Sequence, residues 1–228
     1  MTEHGIIMSR ESILLYQAGL KTQTRRAVRN AEGAFWDHGA WHPVVENGRV
    51  VRWEKSDGMV CEAGAPLPRC PYGVPGDRLW FRETWGWSVY SPRLSHLDPT
   101  HPEFVKYKAT DQQHDRDWWV DHWRSPIHMP RWAARYAPLL IDVRLERLQE
   151  CSEADFAAEG GAFGYIPVAD GVMYQWPTSK LGLLERFWSC RTPGECLSRA
   201  LGGLKGEREP RGDSNPWVWV LTFEGVGR

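Results

Sequence analysis

The chain has 228 residues and a formal net charge of −1, long enough to bury a sizeable core and too evenly charged to coat duplex DNA by charge alone. Its five cysteines are odd in number and irregular in spacing, which argues against a disulfide framework, and the short Cys pairs of a structural zinc site are missing. No run approaches membrane-spanning length and the first residues lack a basic-then-apolar leader, so the expected compartment is the cytoplasm, with no membrane partner and no metal.

In chain order, residues 5–8 read as a short apolar strand. Ser9 is placed to cap a helix over residues 10–18, where Ile13, Leu14, Tyr16 and Gln17 form a stripe and Gly19 is the stop. Lys21, Thr22, Gln23, Thr24, Arg25 and Arg26 follow at once. Only Gly19 belongs to the usual vocabulary of solvated turns. Two readings are open. The cations are drawn to the carbonyl dipoles of the preceding helix, or cations and hydroxyls are gathered around an anion or an acyl-transfer centre.

From residue 30 to 69 the pattern dissolves into Gly, Pro, His and isolated Trp. This reads as a surface insertion whose regular part is a hairpin, Val44-Val45 against Val50 to Trp53, around Asn47-Gly48. A run of turn residues from Cys70 to Asp77 then delivers an alternating strand, Arg78 to Trp85. Leu79 and Phe81 share one face with Glu83, while Trp80 and Arg82 share the other with Thr84. Glu83 either reaches water at the strand end or is a carboxylate set on an apolar face for a purpose.

Residues 86–135 read as a second insertion, containing a short strand at Phe104 to Lys108 and a Trp-rich stretch interleaved with Arg, His and Pro. With fourteen tryptophans in the chain, several are expected half-exposed, stacking a base or pinning a long loop. Leu139 to Leu145 alternates cleanly, with Leu139, Ile141, Val143 and Leu145 expected inward. Ser152 caps a helix with Glu153 and Asp155 in its first turn, ending at Glu159-Gly160-Gly161. Glu159 in a last turn opposes the helix dipole and asks for another reason. Residues 162–214 read as a third insertion with one helix over 181–190, and Trp217 to Phe223 is a strong closing strand. The whole, 1–228, reads as one mostly β domain with helices at its rim.

No glycine-rich phosphate loop and no Gly-x-Ser-x-Gly turn is present. What remains is Lys21 with Thr24. A threonine hydroxyl is a weak nucleophile until a base takes its proton, and a lysine is that base when its pKa falls toward neutrality. Arg25, Arg26 and partial burial push Lys21 in that direction. A spacing of three sets Lys21 and Thr24 on opposite faces of a regular strand, so they converge only if the chain turns between them.

These residues resemble the ASCH-domain family. The likeness is carried by the helix followed by Gly19-Leu20-Lys21-Thr22-Gln23-Thr24-Arg25-Arg26, then Pro75-Gly76-Asp77-Arg78-Leu79-Trp80, then Ser152 to Glu159, then the closing strand. Order and content are most similar to the longer ASCH proteins of phages and prophages. The resemblance implies an α+β fold, a small mixed or antiparallel β-barrel of the PUA-like kind, with peripheral helices and long insertions at 30–69, 86–135 and 162–214. It further implies an amidohydrolase that removes the acyl group from N4-acetylcytidine without a cofactor, with Lys21, Thr24 and Glu159 as the catalytic set. Lys21 deprotonates Thr24, Thr24 attacks the acyl carbon, and Glu159 orients the lysine or relays protons. Arg26 or a backbone amide serves the oxyanion, Trp80, Trp85 or a loop Trp sandwiches the base, and Glu83 is the reserve carboxylate.

A reading of a different class is an RNA-binding module, in which Lys21, Arg25 and Arg26 grip phosphate and the tryptophans stack bases. A ribonuclease lies between the two. The expected partner is accordingly a modified cytidine nucleoside or RNA, in a bacterial or phage-infected host cell.

Overall fold

The computed structural model describes residues 1–28, 41–46, 49–55, 70–87, 104–110, 120, 122–163, 174–175 and 215–226. Among them the fold is mixed α+β, mostly strands with few helices. No described helix is long and apolar enough to cross a membrane. The helix expected over 181–190, and the turn residues Asn47 and Gly48, lie outside the described residues.

Strand β1 (Glu3–Ile7) leads into helix α1 (Arg10–Gln17). Ser9 caps α1, its side chain accepting from the Ser12 N–H, and Gly19 ends it with φ of 72°. That left-handed backbone is open to glycine at little cost. The chain then reverses and runs into β2 (Gln23–Ala27). The expected hairpin is present as β3 (Trp41–Glu46) and β4 (Arg49–Lys55), with Val45 opposite Val50.

Strand β5 (Arg78–Arg82) pairs in parallel with β1, Gly5 opposite Trp80. β6 (Trp85–Trp87) pairs with β7 (Val105–Tyr107). β8 (Leu140–Arg147) and β11 (Trp217–Phe223) are antiparallel neighbours, and β2 flanks β11 on its other side. β11 is therefore the central strand, which is why nearly every residue in it is buried. Helix α2 (Glu153–Ala158) follows β8, and β9 (Ala162–Phe163) pairs with β10 (Tyr174–Gln175).

The two main sheets meet beside β8. Leu79 N–H donates to Pro138 O, Leu140 N–H donates to Asp77 O, and Arg78 bridges Leu139. Strand order around the core is thus β1, β5, the segment entering β8, β11 and β2. Among the described residues no backbone ladder joins β1 to β2, so the sheet stays open there. A side chain spans the opening instead: Arg26 Nη2 donates to Ile7 O at 2.6 Å while its Nη1 donates to Arg25 O at 3.1 Å.

The core holds Ile6, Leu79, Phe81, Val143, Leu221 and Phe223. Tyr16 of α1 meets Phe81 edge-on at 4.9 Å, and Phe81 meets Phe223 at 5.3 Å. Such edge contacts hold α1 on the sheet with more geometric definition than aliphatic burial alone. A second cluster, Trp85, Val105, Met129 and Ala133, packs beneath the 122–135 segment.

One expectation needs correction, and one open alternative is decided. In β8 the inward residues begin with Leu140, fully buried, while Ile141 is 55% exposed. The cause is a β-bulge. Thr222 opposes Asp142 but Phe223 opposes Leu140, so Ile141 is an extra residue that reverses the alternation at that point. Glu83 does not reach water at its strand end. It is buried and clamped by Arg135, with Nε to Oε1 and Nη2 to Oε2 both 2.8 Å.

The junction of α1 and α2 is tight. Gly160 has φ of 95°, and a Cβ there would sit 2.7 Å from Leu15 Cδ1. Gly160→Ala is expected to destabilise the fold by more than about 1 kcal/mol through both strain and overlap, measured as a lowered urea midpoint with an unchanged m-value.

Candidate active site

Helix α2 carries the site from one side. Ser152 accepts from the Asp155 N–H and starts the helix, and Glu159 is its C-cap residue. Thr22 N–H donates to Ala158 O at 2.8 Å, docking the end of the helix beside the start of β2. Lys21 lies in the turn just ahead of β2. Its ammonium donates to Glu159 O at 2.9 Å and lies 3.2 Å from Glu159 Oε2. Both side chains are buried.

The last turn of α2 has no basic residue of its own, so Lys21 supplies the cation that its carbonyl dipoles favour. The dipole reading of this lysine therefore holds for a helix more than a hundred residues away, not for the preceding one. The acid at the wrong end of α2 is explained by the same contact.

Glu159 Oε1 accepts from the Arg25 N–H at 3.0 Å. Oε2 faces the Lys21 ammonium in the ion pair. Burial pushes the Lys21 pKa below its ordinary value; Glu159 opposes that shift, while Arg26 and Arg25 add to it.

Thr24 is buried and on the opposite side of β2 from Arg25. Its hydroxyl accepts from Arg26 Nη1 at 3.3 Å, and Arg26 Nη2 lies 3.6 Å from Met8 Sδ. No hydrogen bond joins Lys21 to Thr24 among the described residues. The structure thus brings Lys21 and Glu159 together directly, with Thr24 three residues away across the strand and held by Arg26. Catalytic contacts are often long in a free enzyme and tighten on the substrate.

Other anticipated substrate contacts sit elsewhere. The Arg25 guanidinium is fully buried and faces Glu146 and Asp155, so it is not free to grip a phosphate. Trp85 is buried in the second cluster between Trp87 and Trp132, leaving no open ring face for an incoming base. Glu83 is spent on Arg135, which also lies 4.2 Å from the Tyr107 ring centroid. Trp80 is half-buried on the outward face of β5, over Gly5 and beside Arg82.

The polar network behind Lys21 had no signature in the sequence. Arg25 Nε donates to Glu146 Oε1 at 2.8 Å and Nη1 to Gln23 Oε1 at 3.2 Å. Arg144 reaches Asp155 at 2.5 Å and Glu146 at 3.4 Å. Alternation places Arg144 and Glu146 on one face of β8, but nothing in their spacing names Arg25 as partner.

Compared with known protein families, with curated proteins and with solved structures, the chain matches none. The arrangement itself is a buried lysine whose pKa burial lowers, a carboxylate paired with it, and a buried hydroxyl held by Arg26. No group of ligating side chains suited to a metal occurs among the described residues.

Burial alone raises the Asp155 pKa, but hydrogen bonds from Ser152, Arg144 and Gln23 outweigh it and hold the group at about 2. A depressed carboxylate pKa contributes stability above the ordinary value near 3.8 that is lost as pH falls toward 2. Asp155→Asn is therefore expected to flatten the acid limb of the stability curve between about pH 4 and 2, read by thermal melts across that range.

Proposed function

We propose that this chain is an amidohydrolase of the ASCH type, on a PUA-like barrel, that removes the acyl group from N4-acetylcytidine-type nucleosides. One observation carries the reading: Lys21 and Glu159 meet in a buried pair beside β2, the strand that carries Thr24.

The residues act in sequence. Lys21, as the neutral amine, takes the proton from Thr24 Oγ1 as that oxygen bonds to the acyl carbon. The tetrahedral oxyanion is stabilised by Arg26, whose Nη1 already touches the hydroxyl. Collapse breaks the bond to the cytosine N4, and the proton held by Lys21 goes to that nitrogen, with Glu159 keeping the ammonium in place. Water then attacks the acyl-threonine ester, Lys21 again serving as base, and carboxylic acid and free Thr24 are released. Desolvation of Lys21 serves this cycle because an amine of ordinary pKa would be protonated at neutral pH.

The contact between Arg26 and Thr24 also favours a second reading, an RNA-binding or ribonuclease module in which that guanidinium meets phosphate. The two part on the hydroxyl. Phosphate binding needs the cation, whereas acyl transfer needs Thr24.

Wild-type protein is expected to convert N4-acetylcytidine to cytidine, with kcat/KM rising with pH as Lys21 loses its proton. Lys21→Ala and Thr24→Val are each expected to lower kcat by about a thousandfold or more. Absence of conversion by folded wild type, or full activity in Thr24→Val, removes this reading. Salt-sensitive RNA binding lost in Arg26→Ala would then support the module.

A further inference from the structure

Arg25 is the least exposed charged residue of the site, with a guanidinium at 0% exposure, yet it faces no open surface. It joins three elements. From β2 its side chain reaches Glu146 on β8, with Nε at 2.8 Å and Nη2 at 2.7 Å from Oε1, and Nη2 lies 3.7 Å from Asp155 on α2. Arg144 meets the other oxygen of Glu146 and shares Asp155 Oδ1 with Arg25. The main-chain N–H of the same residue donates to Glu159 Oε1.

α2 is only six residues long and has one fully buried apolar anchor, Phe156. Its placement against β2 therefore leans on polar contacts, and Arg25 supplies two of them. A lysine in its place keeps a charge but loses the planar fork that serves Glu146 and Asp155 together.

We propose that Arg25 is a positioning residue: its guanidinium locks α2 and β8 onto β2, and its backbone N–H holds the Glu159 carboxylate against Lys21. Its charge adds, after that of Arg26, to the burial that disfavours the Lys21 ammonium. This rests on the amidohydrolase reading for its catalytic consequence, though not for its electrostatic one. The charged and titratable groups around the pair are Glu159 and Asp155 from α2, Glu146 and Arg144 from β8, Arg25 and Arg26 from β2, and Cys151 ahead of α2.

The signs follow from that arrangement. Arg25→Gln removes a like charge near Lys21 and leaves Glu146 and Asp155 less neutralised, both of which favour the ammonium. Glu146→Gln leaves Arg25 less neutralised and disfavours it. The two variants should move Lys21 in opposite directions.

The test is an NMR titration of the Lys21 ε-methylene in carbon-13-lysine-labelled protein, run beside kinetics on N4-acetylcytidine. Arg25→Gln is expected to raise the Lys21 midpoint and Glu146→Gln to lower it. The acid limb of kcat/KM is expected to follow in the same directions. Arg25→Lys is expected to leave the midpoint near wild type and to lower kcat about tenfold with KM little changed, since charge is kept while geometry loosens. If Arg25→Gln does not fold, Glu146→Gln decides the electrostatic claim alone. An unmoved Lys21 midpoint in the folded variants, or wild-type kcat in Arg25→Lys, overturns the proposal. The titration needs no substrate, so a wild-type protein without turnover counts against the amidohydrolase reading and not against the electrostatic role of Arg25.

Discussion

The buried carboxylate of Glu159 is the point on which the arrangement of β2 and α2 turns. One of its oxygens is fixed by the Arg25 N–H, the other faces the Lys21 ammonium, and its own carbonyl accepts from that ammonium. Taking both charges out of water costs several kcal/mol, and their attraction offsets this only with good supporting hydrogen bonds. Here the Arg25 N–H supplies one such bond, to Oε1. A pair of this kind is a poor device for stability; its burial disfavours the Lys21 ammonium, and Glu159 opposes that.

The contrast with the other buried carboxylate is instructive. Glu83 has both oxygens engaged by the Arg135 fork, and that guanidinium is backed by Tyr107 and Thr110. Burial raises the Glu83 pKa while Arg135 opposes it. The fork leaves this carboxylate satisfied, and its surroundings are the Met129 side of the second cluster. It braces the end of β5 against the 129–135 segment. The two buried carboxylates thus differ in partner: Glu83 meets a two-pronged guanidinium, and Glu159 meets a lysine ammonium and one backbone N–H.

Arg26 connects the site to the architecture. Strands β1 and β2 are not laddered among the described residues, and one guanidinium touches Ile7 O, Arg25 O and the Thr24 hydroxyl. Sheet edges must be satisfied by something, and an arginine with five donors can do so without closing the gap to a ligand. The Thr24 hydroxyl thus lies where the sheet is held by a side chain in place of backbone pairing.

Local patterns in the chain were sufficient for the caps at Ser9 and Ser152, the left-handed stops at Gly19 and Gly160, the hairpin partners Val45 and Val50, and the closing strand. Each depends on neighbours within a few residues, so its physics is written in short windows. The interest of Lys21 and Thr24 was legible for the same reason, since two hydroxyls among cations fit no solvated turn, and Glu159 was conspicuous because it opposes its own helix dipole. Tertiary structure alone decided that Lys21 and Glu159 meet, that Arg25 is a buried tie and not a phosphate grip, that Trp85 is core, and that Ile141 turns outward. Those outcomes depend on contacts between residues far apart in sequence and on a single bulged residue in register. Neither leaves a trace in local periodicity, because burial and pairing are set by which elements pack together.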